Sequence, residues 1–333
     1  EKRLVYQPET PAEQARTIPA EVDFSEVSGH QQVLKAIVAA AAGAHNLLMI
    51  GPPGCGKSMI AQRIPTILPD LSEEEALEVM TIQSVAGVLG HHQASLKRPY
   101  RAPHYNASPN AIIGGGINAL PGEISLAHHG VLFLDELPEY SRQTIDSLRQ
   151  PMEEHHVTVA RVRQTNTFPA NFMLVAAMNP CKCGHYGTGK CTCSAMDVQR
   201  YRSRVSGPIY DRLDIQKYLA KVDFFHTGQS SGRRSSSDMK AQVVAARAIQ
   251  TVRFKDISGV RTNSQMSTRQ LEQFCQLDSE GQALLEKTFQ KYAFSARSYG
   301  KILSLARTFA DLDASPAIRS EDLISALMAR DLD

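Results

Sequence analysis

Gly51-Pro52-Pro53-Gly54-Cys55-Gly56-Lys57-Ser58 constrains this chain more than any other stretch. It fills the pattern G-x-x-x-x-G-K-[ST], and the mostly apolar residues 46–50 before it read as a strand that ends where a helix must begin. A loop so placed holds phosphate. Its successive backbone N–H groups form an anion nest, and the helix behind it adds the positive end of its dipole. Gly51, Gly54, Cys55 and Gly56 are therefore expected to wrap the phosphates of a nucleotide such as ATP. Lys57 is expected to reach the β- and γ-phosphates, and Ser58 to ligate Mg²⁺. A glycine-rich turn that fits the pattern by chance is the competing reading, and the strand and helix on either side speak against it.

At 333 residues, 42% of them hydrophobic, the chain is long enough for two domains with real cores. Lys+Arg 36 against Asp+Glu 34 leaves a formal charge of +2, so any contact with nucleic acid has to come from local basic clusters. No apolar run reaches membrane-spanning length; the richest, 37–50, is broken by His45 and Asn46. With no apolar signal segment at its start, the chain is expected in the cytoplasm, with its thiols reduced and no membrane partner. It opens on Glu1-Lys2-Arg3, which points to a piece whose N-terminal part is absent. Residues 1–22, with Pro8, Pro11 and Pro19 among polar side chains, read as a linker.

Residues 131–134 form a continuous apolar run, as a central parallel strand buried on both faces would, and it ends in Asp135-Glu136. Acids at the carboxyl end of such a strand sit where open α/β sheets bind ligands. Asp135 is expected to complete the Mg²⁺ shell and Glu136 to polarise the attacking water; two acids capping the next helix are the alternative. A second apolar strand, 172–177, leads to Asn179, a candidate for orienting the same water.

Around these lie a helix over 32–42, one from 59 until Pro65 or Pro69 ends it, and one opened by a capping box at Ser72-Glu73-Glu74-Glu75 and running to 80. Residues 97–126, with Arg98, Arg101, His104 and Gly114-Gly115-Gly116, form an irregular insertion longer than a connection requires. A helix over 143–154 precedes an alternating run, 157–162, and a turn at 164–166. Arg161 and Arg163 near the tip of that hairpin either touch a polyanion such as DNA or serve as solvated edge charges.

Cys181-x-Cys183 and Cys191-x-Cys193 follow. Zn²⁺ in a closed Cys₄ site is the preferred reading, because a reducing cytosol disfavours disulfides and thiolates suit the ion. Free thiols in an ordered loop, or His185 in place of one sulfur, are the other readings. Residues 225–237 are Gly/Ser-rich, contain Arg233-Arg234 and read as a hinge. Beyond it 238–254, 268–275, 279–292, 295–312 and 320–329 each start near a Ser, Thr or Asp and read as helices of a small bundle.

Together, Gly51 to Ser58, Asp135-Glu136, Asn179, Asp211-Arg212 and Ala296-Arg297 resemble an AAA+ ATPase of the magnesium-chelatase-like branch. The run from Pro103-His104 through Pro121-Gly122-Glu123-Ile124-Ser125-Leu126-Ala127-His128 to Asp135-Glu136, with the paired Cys-x-Cys motifs, is similar to the ComM-like competence family within it. The resemblance covers 23–329. It implies an α/β AAA+ core, a parallel sheet flanked by helices, over 23–224, with a helix-two insert at about 97–126 and a pre-sensor hairpin at about 155–170. A hinge (225–237) and an all-helical lid (238–333) would follow, and in the family a Lon-like domain precedes the core. It further implies a homo-hexameric ring whose inserts line a pore and pull single- or double-stranded DNA, promoting branch migration of branched DNA during natural transformation. Arg212 matches the arginine finger that enters the neighbouring subunit's site. Arg297 matches the lid's sensor arginine, in cis or in trans, and His30 stands where the family more often has Gln. A chelatase motor acting on a metal-insertion partner and a MoxR-like protein remodeller share the same ATP site and are the alternatives.

Overall fold

The computed structural model describes residues 22–89, 96–116, 118–161, 164–221, 233–292 and 294–331. Helix α1 (Gln31–Gly43) exposes Gln31, Gln32 and Lys35 in its first turns but carries no charge after Lys35, and every residue from Ala36 to Gly43 is buried, so that part has no solvent face. Strand β1 (Leu47–Ile50) and helix α2 (Lys57–Ile67) flank the glycine-rich loop as the pattern requires. Pro65 sits inside α2 without ending it. The stop comes at Leu68, extended at φ −72°, ψ 148°, because the ring of Pro69 excludes the helical conformation from the residue before it. Helix α3 (Glu73–Val85) opens with the expected Ser72/Glu75 capping box and runs five residues past the predicted end.

Part of the 97–126 insertion belongs to the main sheet. Strand β2 (Tyr100–Arg101) pairs in parallel with β5 (Val131–Leu134) and forms an edge. Between them come α4 (Pro109–Ile113), a small antiparallel pair, β3 (Gly114–Gly115) with β4 (Leu120–Pro121), and α5 (Glu123–Leu126). The helix expected over 143–154 is two short ones, α6 (Arg142–Ser147) and α7 (Pro151–Glu154): Pro151 lacks the N–H that continuation needs but suits the first turn of a new helix. The turn expected at 164–166 is also displaced. Those residues lie in β7 (Gln164–Pro169), paired antiparallel with β6 (His156–Arg161) out to Arg161↔Gln164, so the alternating pattern runs further than the polar Gln164 and Asn166 suggest. Arg163 lies outside the described residues, as do 225–232 of the expected hinge.

Strand β8 (Met173–Met178), short helices α8 (Ala195–Arg202) and α9 (Gly207–Tyr210), and β9 (Ile215–Tyr218) complete the sheet, whose order is β2-β5-β8-β1-β9 with each pair parallel. Alternate strand residues divide the interior into two apolar layers. Leu47, Met49, Val131, Phe133 and Val175 face one; Leu48, Leu132, Leu134, Leu174 and Ala176 face the other.

The C-terminal helices α10 (Ser236–Phe254), α11 (Thr268–Phe274), α12 (Ser279–Tyr292), α13 (Ala296–Leu312) and α14 (Ser320–Met328) match expectation closely. Ser235 and Ser295 cap α10 and α13 by accepting backbone N–H bonds. These helices do not keep a core of their own. Met239, Val243, Ile302, Leu305 and Ala306 join Ile37 and the α1 alanines in the same apolar cluster as the sheet. The α10 side chains Arg247 and Gln250 donate to the carbonyls of Ala41 and Ala42 near the end of α1, at 2.9 and 3.1 Å. No helix among the described residues is long and apolar enough to cross a membrane.

Candidate nucleotide site

The loop after β1 is shaped for an anion. Gly54 and Gly56 take φ of 77° and 93°, which side-chain-bearing residues rarely adopt, and α2 starts directly after Gly56 with no side chain capping its first N–H groups. The Lys57 ammonium donates to the carbonyls of Gly51 (2.6 Å) and Pro52 (3.1 Å) and to Asn179 Oδ1 (3.2 Å), and lies 3.8 Å from Cys55 Sγ. These neutral acceptors hold the charge where phosphate oxygens would take it over. His30, at φ 59°, donates a ring N–H to the Cys55 backbone, and burial lowers its pKa.

The two residues expected to share Mg²⁺ meet: Ser58 Oγ donates to Asp135 Oδ2 at 2.6 Å. Asp135 follows β5, which is separated from β1 only by β8. Glu136 is exposed and left-handed (φ 52°, ψ 46°), a conformation that costs on the order of 1–3 kcal/mol in a residue with a side chain and gathers at functional sites. Asn179, one residue beyond β8, faces Lys57. Ser58, Asp135, Lys57 and Asn179 thus converge at the carboxyl ends of three neighbouring strands.

Arg212 and Arg297 lie at the other end of the sheet. The Arg212 carbonyl accepts from Asn46 Nδ2 at 3.2 Å, and Asn46 precedes β1 where Gly51 follows it. Five residues at about 3.3 Å each separate those two ends by about 16 Å, more than an arginine side chain spans. Arg212 and Arg297 come together on one carboxylate: their Nη2 atoms lie 2.8 and 2.7 Å from Glu153 Oε1. Arg212 also donates to Pro208 O at 2.7 Å, while its buried Nε has no partner among the described residues. They border a cavity of about 380 Å³ that Arg98, Arg247, Arg261 and Lys301 also line. Lys301 Nζ donates to Arg212 O at 3.0 Å and ion-pairs with Asp214. Burial opposes ionisation of Asp214, yet Lys301, His45 and the Asn46 N–H hold its carboxyl below the usual range. Sequence reasoning missed Glu153 and Lys301, whose partners are distant in the chain.

The four cysteines converge. Sγ separations are 3.4 Å (Cys181–Cys183), 3.8 Å (Cys181–Cys191) and 3.7 Å (Cys183–Cys191), and Cys193 completes a group within 4.8 Å. A tetrahedral ion at about 2.3 Å from each sulfur needs S···S edges of about 3.8 Å, so the donor set fits Zn²⁺. Backbone N–H groups of Thr192 and His185 lower the Cys183 thiol to about 5, and the Tyr186 N–H reaches Cys181 Sγ at 3.3 Å. His185 is not among the clustered donors. Gly184, at φ 81°, packs so closely on the phosphate loop that a Cβ there would lie 2.6 Å from Pro53 Cδ.

Glu78, His128 and His129 also cluster, with both Nε2 atoms on Glu78 Oε2 at 2.9 and 2.7 Å. Here the second shell argues against a metal. His128 Nδ1 accepts the Asn171 N–H at 3.0 Å, so the proton of the neutral ring sits on Nε2, the nitrogen that would have to ligate. Arg161 lies in β6 at the last described pair of the hairpin.

The profile of magnesium chelatase, subunit ChlI, matches residues 23–226, and that of the ChlI C-terminal region matches 233–330. YifB of Escherichia coli strain K12 is 42% identical over 313 residues, 93% of this chain and 61% of YifB. Competence protein ComM of Haemophilus influenzae is 41% identical over 312 residues, 92% of this chain and 59% of ComM. The chain spans about three fifths of the length of these relatives.

Proposed function

The chain belongs to the magnesium chelatase ChlI family of AAA+ proteins, and on that premise we propose that it is an Mg²⁺-dependent ATPase that works as a homo-hexameric ring and moves DNA. The observation that carries the ring is the placement of Arg212 and Arg297 at the amino end of β1, beyond reach of their own phosphate loop and together on Glu153. That placement supports service to a nucleotide held by another subunit, and in this reading Arg297 as well as Arg212 acts in trans. Lys57, now on the Gly51 and Pro52 carbonyls, would turn to the phosphate oxygens of ATP, Ser58 and Asp135 would hold the Mg²⁺ that supplies charge neutralisation there, and Glu136 would take the proton of the attacking water. Asn179 positions Lys57 and the water beside it.

DNA as the cargo rests on the similarity to a competence protein and on the hairpin bearing Arg161 and Arg163; branch migration in recombination is the activity that similarity favours. The Cys181, Cys183, Cys191 and Cys193 knuckle is proposed to hold Zn²⁺. The trans assignment is tested by mixing. Arg212→Ala and Glu136→Gln chains are each expected to be inactive, yet mixed rings contain interfaces with an intact Glu136 facing an intact Arg212 and should regain part of the turnover. A mixture that stays at background after confirmed subunit exchange overturns the assignment. Stimulation of ATP hydrolysis by added DNA tests the cargo, and none is expected for a chelatase motor or a protein remodeller.

A further inference from the structure

Two arginines share one carboxylate, so this corner of the molecule is short of negative charge. Arg212, with its side chain 11% exposed, and Arg297 both point at Glu153 Oε1, and the nearby carboxylates are engaged elsewhere: Glu75 with Arg98 and Arg261, Asp214 with Lys301. A phosphate oxygen brought to the same guanidiniums would meet Glu153 as a like charge at contact distance, and the two cannot both stay. The Glu153 side chain is 44% exposed and free to swing into solvent, whereas Arg212 is held by Pro208 O and by Lys301 on its carbonyl. The carboxylate is the movable partner.

Its position in the chain gives that movement somewhere to go. Glu153 lies in α7, three residues before β6 begins. The joint between them is His155, held at φ 56°, whose carbonyl accepts the Ala170 N–H at 2.8 Å and so clamps the base of the hairpin. From His156↔Pro169 to Arg161↔Gln164 the paired strands extend five residues, about 17 Å. Asn166 on β7 donates to Ala119 O at 3.3 Å, tying the hairpin to the other insert. A tilt of α7 at the base is thereby a larger displacement at the far end.

We propose that Glu153 is a positioning residue, a placeholder anion that the neighbouring subunit's terminal phosphate displaces from Arg212 and Arg297, and that its release is passed through α7 and His155 to the β6–β7 hairpin. The proposal rests on the trans reading of Arg212 and deepens it, by coupling the nucleotide of one subunit to the hairpin of the next. It requires no contact between hairpin and nucleotide.

The chain contains no tryptophan, so Thr158→Trp, at an exposed position on β6, makes a single reporter. In the full chain carrying Glu136→Gln, so that ATP stays intact, ATP-Mg²⁺ is expected to shift the tryptophan emission. Adding Glu153→Gln should give the shifted emission before any nucleotide is present and no further shift after it, while Glu153→Asp keeps a response. With Glu136 intact, Glu153→Gln should lower the apparent KM for ATP on the order of tenfold, because one charge-assisted contact no longer competes. An emission that ATP leaves unmoved in the parent, or moves equally in Glu153→Gln, overturns the relay. Arg212→Ala separates the two ideas. If it turns over normally the trans reading itself has failed; if it is inactive while Glu153→Gln still responds to ATP, only the relay has.

Discussion

Replacing Lys301 by Met removes a charge from the joint between α13 and the Arg212 loop while keeping most of the side-chain volume. Lys301 Nζ holds the Arg212 carbonyl and pairs with Asp214, whose side chain is 5% exposed. In Lys301→Met that carboxylate keeps the Asn46 N–H at 2.7 Å and a neutral His45 ring 3.9 Å away. Stripping one partner from a buried pair costs about 3–5 kcal/mol; the surviving amide bond and the partial exposure of Lys301 place this case at the lower end, about 3 kcal/mol at pH 7.5. His45 then decides the pH dependence. Burial first, with Lys301 and Arg247, holds it down to about 4 against the pull of Asp214. A folded pKa below the unfolded value of about 6.5 means that this stability is complete above pH 6.5 and is lost as pH falls toward 4, about 2 kcal/mol of it by pH 5. Without Lys301 the folded pKa rises, because a positive neighbour is gone and Asp214 is unpaired, so acid costs the variant less than the parent. Urea denaturation at pH 7.5 and pH 5 should therefore show a gap between parent and variant that narrows in acid, and Asp214→Asn added to Lys301→Met should restore most of the loss at pH 7.5. A gap under about 1 kcal/mol at pH 7.5, or one that does not narrow by pH 5, refutes the reasoning.

Lys57→Ala should abolish nucleotide binding, whereas Glu136→Gln should bind and not turn over; fluorescent-nucleotide titration beside phosphate release separates them, and undiminished hydrolysis in Glu136→Gln would reassign the base. Metal analysis of protein purified without chelator should find about one zinc per chain. Four freely titrating thiols at Cys181, Cys183, Cys191 and Cys193 with no metal would remove that site. Gly184→Ala should cost about 1–3 kcal/mol from its positive φ and should also weaken nucleotide binding, because the new Cβ presses on Pro53. A variant destabilised without any loss of nucleotide affinity would show that the knuckle does not support the loop.

The parts of the site legible in the sequence are those where chemistry and chain order coincide. The phosphate loop, Asp135-Glu136 and the cysteine pairs are local patterns, and each is found assembled. Helix starts were readable at Ser72 and Ser295, whose side chains take the N–H of the third helical residue, whereas Ser108 and Ser194 cap α4 and α8 in the same way and those short helices were not expected. The edge strand β2 has only two residues, one of them Arg101 paired with Glu123, so no apolar run announces it. The break between α6 and α7 was signalled by Pro151 and hidden by the helix-forming residues around it. Glu153 was unreadable for a different reason: it reads as a solvated helix acid, and only the fold brings Arg212 and Arg297, 59 and 144 residues further on, to the same oxygen.

Helix α1 bears on how such a machine moves. Its alanines let α10 and α13 approach on one side while the sheet packs on the other, and these surfaces share one continuous interior. An internal swing of the C-terminal helices against the sheet would have to open that interior, exposing side chains such as Ile302 and Leu305 at about 1.5–3 kcal/mol apiece. A single phosphoryl transfer is better spent elsewhere. In the proposed ring each subunit would then turn as one solid piece, and the strokes of its cycle would fall at the seams between subunits, away from this shared interior.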